Sequence, residues 1–213
     1  MKLGDLLEWI LHVDRHLGAL VAAYRGGAYA ILAAVIFAET GLVVTPFLPG
    51  DSLLFAAGAL AADGSFGLHW LILLLGAAAV GGDAVNYAVG AATRQRVVGP
   101  RRWIRPEHLE RTRRFYDRYG AKTIVLARFV PIVRTFAPFL AGASGMQYRR
   151  FAVYNVFGGV LWVTTMTGAG YLFGNLPVVE EHFSLVVLAI IAISLIPAVV
   201  GWSRERRHAG PTA

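Results

Sequence analysis

The sequence predicts an all-α membrane protein, with two opposed re-entrant helical hairpins in inverted repeats, about three full transmembrane helices and an N-terminal amphipathic helix. Of its 213 residues, 56% are hydrophobic and 15% charged, against about 25% charged in an average soluble domain. Three apolar stretches are long enough to cross a bilayer, and two others are broken by prolines and charges. Lipid cannot satisfy the backbone groups freed at such breaks, so the broken stretches must be buried in protein or face a wet cavity.

Residues 1–25 are predicted to form an amphipathic helix. Leucines recur at helical spacing along one side, and Glu8, Asp14 and Arg15 disfavour a spanning position. We therefore expect this helix to lie at the membrane interface, on the outer face.

The first re-entrant hairpin is predicted at residues 28–62. Its apolar run from Ala28 ends after eleven residues at Glu39, whereas a spanning helix needs about 20. A turn containing Pro46 and Pro49 follows, and Asp51 begins the apolar return. Composition predicts a loop at 62–67.

A full span is predicted at 68–92, interrupted only by Asp83 beside a Gly-Gly pair. The connection at 93–120 contains nine arginines. By the positive-inside rule this basic connection is cytoplasmic.

The second hairpin is predicted at 121–145, where Arg128, Pro131, Arg134 and Pro138 interrupt the apolar sequence. It resembles the first hairpin in the order of its apolar and helix-breaking segments, not in its amino-acid sequence. Broken hairpins followed by a span in each half indicate inverted repeats with the site where the broken helices meet.

Further spans are predicted at 151–174 and 183–202, since neither contains a charged residue. Residues 26–175 then form the core, and residues 176–213 supply a C-terminal span and a basic tail.

Four ionisable residues interrupt the two hairpins: Glu39 and Asp51 in the first, Arg128 and Arg134 in the second. Because their charges are opposite, we expect them to approach one another near the membrane midplane. An arginine fork suits phosphate, because it stays charged and offers paired donors. Helix starts at Asp51 and Pro138 would add partially positive ends to this anion site.

The carboxylates need a separate role, because an ionised acid repels phosphate. Burial disfavours the charged form of an acid, and a neighbouring arginine favours it. A carboxylate displaced from Arg128 or Arg134 by phosphate would therefore take up a proton. This hypothesis links anion binding to protonation.

Purely structural roles remain open for each candidate. Asp51 is placed to cap a helix, Glu39 to form a static ion pair, and Arg128 to reach the inner interface. Asp83 is placed to cap backbone groups at the Gly-Gly pair. The polar residues within the spans have packing as their simplest role; they are Asn86, Tyr87 and Asn155.

The spaced motifs together resemble the DedA family, the bacterial branch of the VTT, or SNARE-associated, membrane proteins. They are Glu39, the turn from Pro46 to Asp51, Gly82-Asp83 with Tyr87 and Gly90, and the stretch from Arg128 through Arg134 to Gly142. The resemblance covers about residues 25–175. It implies paired re-entrant hairpins, a multi-pass position in the bacterial inner membrane, and proton-dependent movement of lipids between leaflets, with undecaprenyl phosphate as the favoured cargo.

By this resemblance Glu39 and Asp51 match the family's functional acids, and Arg128 and Arg134 match its arginines. Asp83, Tyr87 and Asn155 are secondary candidates for the same site. The expected partners are a polyprenyl phosphate lipid and protons, and a homo-oligomer is left open.

Three other functions are alternatives to lipid transport. A proton-coupled exporter of small ions or cations fits the same fold, and a non-catalytic assembly protein would use the arginines at 94–118 as its contact surface. An enzyme such as a lipid phosphatase is disfavoured, because the chain has no cysteine, no histidine near Arg128 or Arg134, and no serine nucleophile with a base. No metal or cofactor is expected. Binding of nucleic acid is not expected either, because the positive-inside rule already explains cytoplasmic arginines beside a span.

Overall fold

The computed structural model describes residues 26–42, 50–98 and 122–177, with scattered positions between 179 and 190. This part of the chain is all-helical, which confirms the predicted class there. Its helices are α1 (Gly27–Gly41), α2 (Gly50–Ala62), α3 (Leu68–Val98), α4 (Lys122–Ala127), α5 (Pro131–Ser144) and α6 (Tyr148–Phe173). The helix predicted for 1–25, most of the basic connection at 93–120 and most of the span at 183–202 lie outside the described residues.

Helices α1 and α2 cover the two apolar arms of the predicted first hairpin. α1 ends at Gly41, after which Leu42 is extended. The turn with Pro46 and Pro49 lies outside the described residues. The loop predicted at 62–67 is present at 63–67, since Ala62 still belongs to α2. Its Gly64 has a φ of 88°, a conformation that glycine adopts without a Cβ penalty.

Helices α4 and α5 cover the second broken stretch. Arg128, Phe129 and Val130 form a non-helical turn between them, and Pro131 opens α5, where its missing N–H costs no helical hydrogen bond. The prediction that Pro138 begins a helix is wrong, because Pro138 lies inside α5. Pro131 has already begun the helix, and buried neighbours allow proline within membrane helices.

Helices α3 and α6 each contain a candidate membrane span. The spans are Leu68–Thr93 and Tyr148–Phe173, of 26 residues each, and about 20 suffice to cross the hydrocarbon core. Only a third of each span's most apolar window is buried. The rest of each surface presents large apolar side chains outward, as a helix beside lipid does.

Helix α2 lies inside the bundle, with every residue from Ser52 to Ala59 buried. It packs closely on α6. A Cβ at Gly58 would lie 2.1 Å from the backbone oxygen of Thr167, and one at Gly170 would lie 1.9 Å from that of Phe55. These two glycines therefore let the helix backbones touch.

Helix α5 packs on α3 through an equivalent pair of glycines. A Cβ at Gly142 would lie 2.1 Å from the oxygen of Tyr87, and one at Gly90 would lie 2.1 Å from that of Phe139. The second helix of each broken stretch thus packs on the long helix of the other half. Phe-x-Ala-Gly-Ala occurs in both α2 and α5, at 55–59 and 139–143. The expectation that the halves share layout but not letters is therefore corrected.

Candidate functional site

Arg134 joins the second broken stretch to both acids of the first. It lies in the first turn of α5, and its Nη1 donates to Asp51 Oδ1 at 2.9 Å. Its Nη2 donates to Glu39, in the last turn of α1. Both carboxylates therefore share one guanidinium, whose fork of donors suits two acceptors.

Glu39 also meets the start of α2. The Gly50 N–H donates to Glu39 Oε1 at 3.3 Å, and a Cβ at position 50 would lie 2.0 Å from Oε2. Only glycine leaves room for this approach. The predicted partially positive end of α2 is present, and the chain's own carboxylate lies against it.

Trp162 of α6 completes this group, and the sequence analysis missed it. Its indole N–H donates to Asp51 Oδ1 at 2.8 Å, and Arg134 Cζ lies 4.8 Å from the ring centroid. The ring is 1% exposed, so the cation–π contact is shielded from water. The available signal was a tryptophan in mid-span, since tryptophans beside lipid concentrate at the interfaces.

Arg128 forms a second group with the two spans. Its Nη2 donates to Asp83 of α3 and to the Asn155 side-chain oxygen of α6. Asn155 Nδ2 in turn donates to the Val80 backbone oxygen at 3.0 Å. Arg128 is 4% exposed, so its side chain lies inside the helix bundle and does not extend to the inner membrane interface. Asp83 is an ion-pair partner in mid-helix and does not cap the Gly-Gly pair.

Two adjacent glycines of α6 make room for the Arg128 side chain. A Cβ at Gly158 would lie 3.1 Å from Arg128 Cδ, and one at Gly159 would lie 3.4 Å from Nη2. Neither glycine is among the site residues predicted from the sequence.

Asn86 of α3 ties both broken stretches together. Its Nδ2 donates to the backbone oxygen of Thr40 at 3.1 Å and to that of Thr135 at 2.9 Å. It is fully buried. The packing role expected for Asn86 is thus specific, because one amide fixes α1 and α5 against α3.

The two groups face one cavity of about 10 Å³, close to the smallest space that admits a water molecule. Within the described chain, Glu39 Oε2 and Arg128 Nε are buried without a hydrogen-bond partner. Both residues line this cavity, whose lining in the described part of the chain is Glu39, Thr40, Asp83, Arg128, Arg134, Thr135 and Trp162.

The structure therefore brings Glu39, Asp51 and Arg134 together directly, and Arg128, Asp83 and Asn155 beside them. Tyr87 lies elsewhere: its hydroxyl donates to the Met146 oxygen, and its ring stacks on Phe151 with centroids 4.5 Å apart. Across the described ranges no cluster of three or more histidine and acidic side chains is arranged to hold a metal.

Fold and site together define an integral membrane protein whose helices enclose a buried cluster of arginines and carboxylates. The VTT domain profile matches residues 48–172, which is more than half of the chain. Protein DedA of Escherichia coli K12 is 50% identical over 212 residues, covering 98% of this chain and 97% of its own. The chain belongs to the DedA family of VTT-domain membrane proteins.

Two further relatives have names that state their location. Inner membrane protein YghB of Escherichia coli K12 is 37% identical over 174 residues, 80% of each chain. Inner membrane protein YqjA of the same strain is 34% identical over 183 residues, 83% of this chain and 81% of its own. These names and the candidate spans confirm the predicted inner-membrane localisation. No solved structure matches the chain significantly.

Proposed function

We propose that this protein moves a phosphate-headed polyprenyl lipid, such as undecaprenyl phosphate, between the leaflets of the inner membrane, coupled to protons. The proposal is carried by the bridge from Arg134 to Glu39 and Asp51. This bridge joins the two broken stretches at a buried point, where ionisable side chains have a high energetic cost and usually serve a function.

The bridge contains the two parts that anion transport needs. Arg134 supplies paired donors that fit phosphate oxygens as well as they fit carboxylates. An incoming phosphate displaces Glu39 and Asp51, and the displaced acids take up protons because an unpaired buried charge is unfavourable. When the phosphate leaves, the acids release their protons and return to Arg134.

The proposed topology has two opposed re-entrant hairpins in inverted repeats, at 28–62 and 121–145. Its support is the equivalence of the two glycine contacts, since the second helix of each hairpin packs on the other half's long helix through Phe-x-x-Gly. Such an arrangement gives a site reachable alternately from the two sides.

We propose transport rather than catalysis, with lipid phosphate and protons as partners, no cofactor and no nucleic acid. A phosphate head in the arginine pocket with its tail outside accounts for buried charges in so small a protein. The apolar outer faces of α3 and α6 suit the tail. A homo-oligomer is compatible with this mechanism but is not required by it.

Coupled export of a small ion is the second candidate. The size of the cavity favours it, since about 10 Å³ admits a water molecule but no phosphate. Lipid transport therefore requires the helices around the cavity to separate, and small-ion transport does not.

Reconstitution of the purified protein tests both functions. Vesicles containing labelled undecaprenyl phosphate are assayed for transfer between leaflets, and parallel vesicles for proton-coupled flux of small cations. We expect wild type to transfer the lipid and Arg134→Ala to lose transfer. For Glu39→Gln we expect the rate of lipid transfer to become independent of pH. Cation flux without lipid transfer would replace the lipid proposal with the second candidate.

A further inference from the structure

We infer that Asp83 and Asn155 control how readily Arg128 binds the anion: Asp83 is a counter-ion that the phosphate must displace, and Asn155 positions the guanidinium. This inference rests on the proposed function and adds a second exchange unit to it. Nothing in the roles given to Glu39, Asp51 and Arg134 requires Asp83 or Asn155 to take part.

The geometry gives Arg128 a partner set separate from that of Arg134. Its Nη2 contacts both Asp83 and Asn155, whereas Arg134 contacts Glu39 and Asp51. Asn155 is itself fixed by its bond to the Val80 backbone oxygen. A side chain held by the backbone of α3 gives the guanidinium a defined position between the two spans.

Arg128 also has a buried donor without an acceptor among the described residues. Its Nε is buried and has no acceptor within the described chain, and the residue lines the same cavity as Arg134. A buried donor without an acceptor is energetically unfavourable. Once the helices around the cavity separate, a phosphate oxygen beside Arg128 would satisfy this donor.

The charges at the cavity make the exchange necessary. Two arginines and two carboxylates line it, and Asp51 pairs with Arg134 from outside the lining. With all five groups ionised, the charges of this cluster sum to one negative charge. An anion entering this group is repelled unless carboxylates are displaced from the arginines and neutralised. Asp83 is the direct partner of Arg128, so its charge sets how available that arginine is.

Two substitutions of nearly equal shape test this charge role with opposite expected signs. Asp83→Asn removes the competing charge, so binding of the phosphate should tighten on the order of tenfold, while release and turnover slow. Asn155→Asp adds a second carboxylate to Arg128, so binding should weaken by a similar factor. Asp63→Asn is the matched control, because Asp63 is exposed in the loop between α2 and α3 and does not line the cavity.

The measurement is the Kd of farnesyl phosphate, a short polyprenyl phosphate, for each purified full-length variant in detergent, alongside its transfer rate for undecaprenyl phosphate in vesicles. Opposite shifts in Kd support the inference. Unchanged values, or shifts in the same direction, overturn it, because a structural role alone does not reverse sign with charge. If Asp83→Asn does not fold, Asn155→Asp is compared with Asn155→Ser, which also loses the amide bond to Val80 but adds no charge. Weaker binding by Asn155→Asp than by Asn155→Ser supports the inference, and equal weakening overturns it.

The same measurements separate this inference from the proposed function. If wild type neither binds farnesyl phosphate nor transfers the lipid, the proposed function fails and the inference falls with it. If wild type binds farnesyl phosphate, Arg134→Ala does not, and Asp83→Asn and Asn155→Asp both have the wild-type Kd, only the inference is overturned.

Discussion

The indole ring of Trp162 lies under the guanidinium of Arg134, with Cζ 4.8 Å from the ring centroid. The same indole donates its N–H to Asp51, which also accepts from Arg134. Trp162 therefore contacts both halves of the ion pair from a third direction, through α6. Its ring and its N–H make separable contributions, and substitution distinguishes them.

Trp162→Phe should keep an aromatic face under Arg134 and lose the bond to Asp51. A hydrogen bond to a charged group contributes about 1.5–3 kcal/mol. We therefore expect the substitution to lower the free energy of unfolding by that amount. A double-mutant cycle with Asp51→Asn measures the coupling by thermal unfolding in detergent. Additive losses from the two substitutions would mean that the indole N–H does not support Asp51.

Arg134→Lys should disrupt the site although it keeps the charge. A lysine ammonium is a point charge without a planar fork, so it cannot reproduce the paired contacts to Glu39 and Asp51 together with the face on Trp162. We expect lipid transfer to fall by at least about tenfold, the factor that 1.4 kcal/mol represents.

Lys122→Arg is the reverse exchange at an exposed position and should transfer lipid as wild type does. Equal activity of Arg134→Lys and wild type would show that charge alone is sufficient at position 134.

Gly50→Ala should separate Glu39 from the start of α2. The new Cβ would lie 2.0 Å from Glu39 Oε2, so the carboxylate must move and lose the Gly50 N–H. Overpacking of this kind costs about 1–3 kcal/mol. We expect a lower melting temperature and altered pH dependence of transport, since Glu39 is the displaced group.

Gly76→Ala is the matched control, because a Cβ there meets nothing within 4 Å. It should leave transport unchanged and raise stability by up to about 1 kcal/mol through helix propensity. If Gly50→Ala behaved like this control, the close approach of Glu39 to residue 50 would be refuted.

Gly58→Ala and Gly142→Ala should destabilise the protein by similar amounts, because each places a Cβ 2.1 Å from a backbone oxygen of the facing helix. A backbone atom cannot rotate away as a carboxylate can, so whole helices must shift. We expect a loss of at least about 1–3 kcal/mol for each. Gly168→Ala, with open space around its Cβ, is the control. Thermal unfolding that distinguished Gly58→Ala strongly from Gly142→Ala would contradict the equivalence of the two contacts.

Much of the helical framework could be predicted from the sequence, because lipid imposes strict rules on length and polarity. The partners of the charges could not. Arg134 pairs with both acids of the first broken stretch, and Arg128 pairs with Asp83. This pairing depends on the rotation of α3 and α6 about their axes. Periodicity in an almost uniformly apolar helix does not reveal that rotation.

Other misses have local causes. Pro131 and Pro138 are equally able to open a helix by local preference, and only the turn at Arg128 selects the first. The repeated Phe-x-Ala-Gly-Ala is present in the sequence, but a match of five residues does not by itself indicate a structural repeat. The structure shows the equivalence, because the glycine of each motif contacts the backbone of a long helix.

Tyr87→Phe tests whether a residue named by the family resemblance acts in transport or in packing. Its hydroxyl donates to Met146 and its ring stacks on Phe151, and it does not line the cavity. Phenylalanine keeps the stacking and removes one hydrogen bond, which contributes about 0.5–1.5 kcal/mol. We therefore expect a small drop in melting temperature and an unchanged lipid transfer rate per folded molecule. A loss of transfer without a loss of stability would instead assign Tyr87 to the transport pathway, because packing alone cannot reduce the rate of a protein that remains folded.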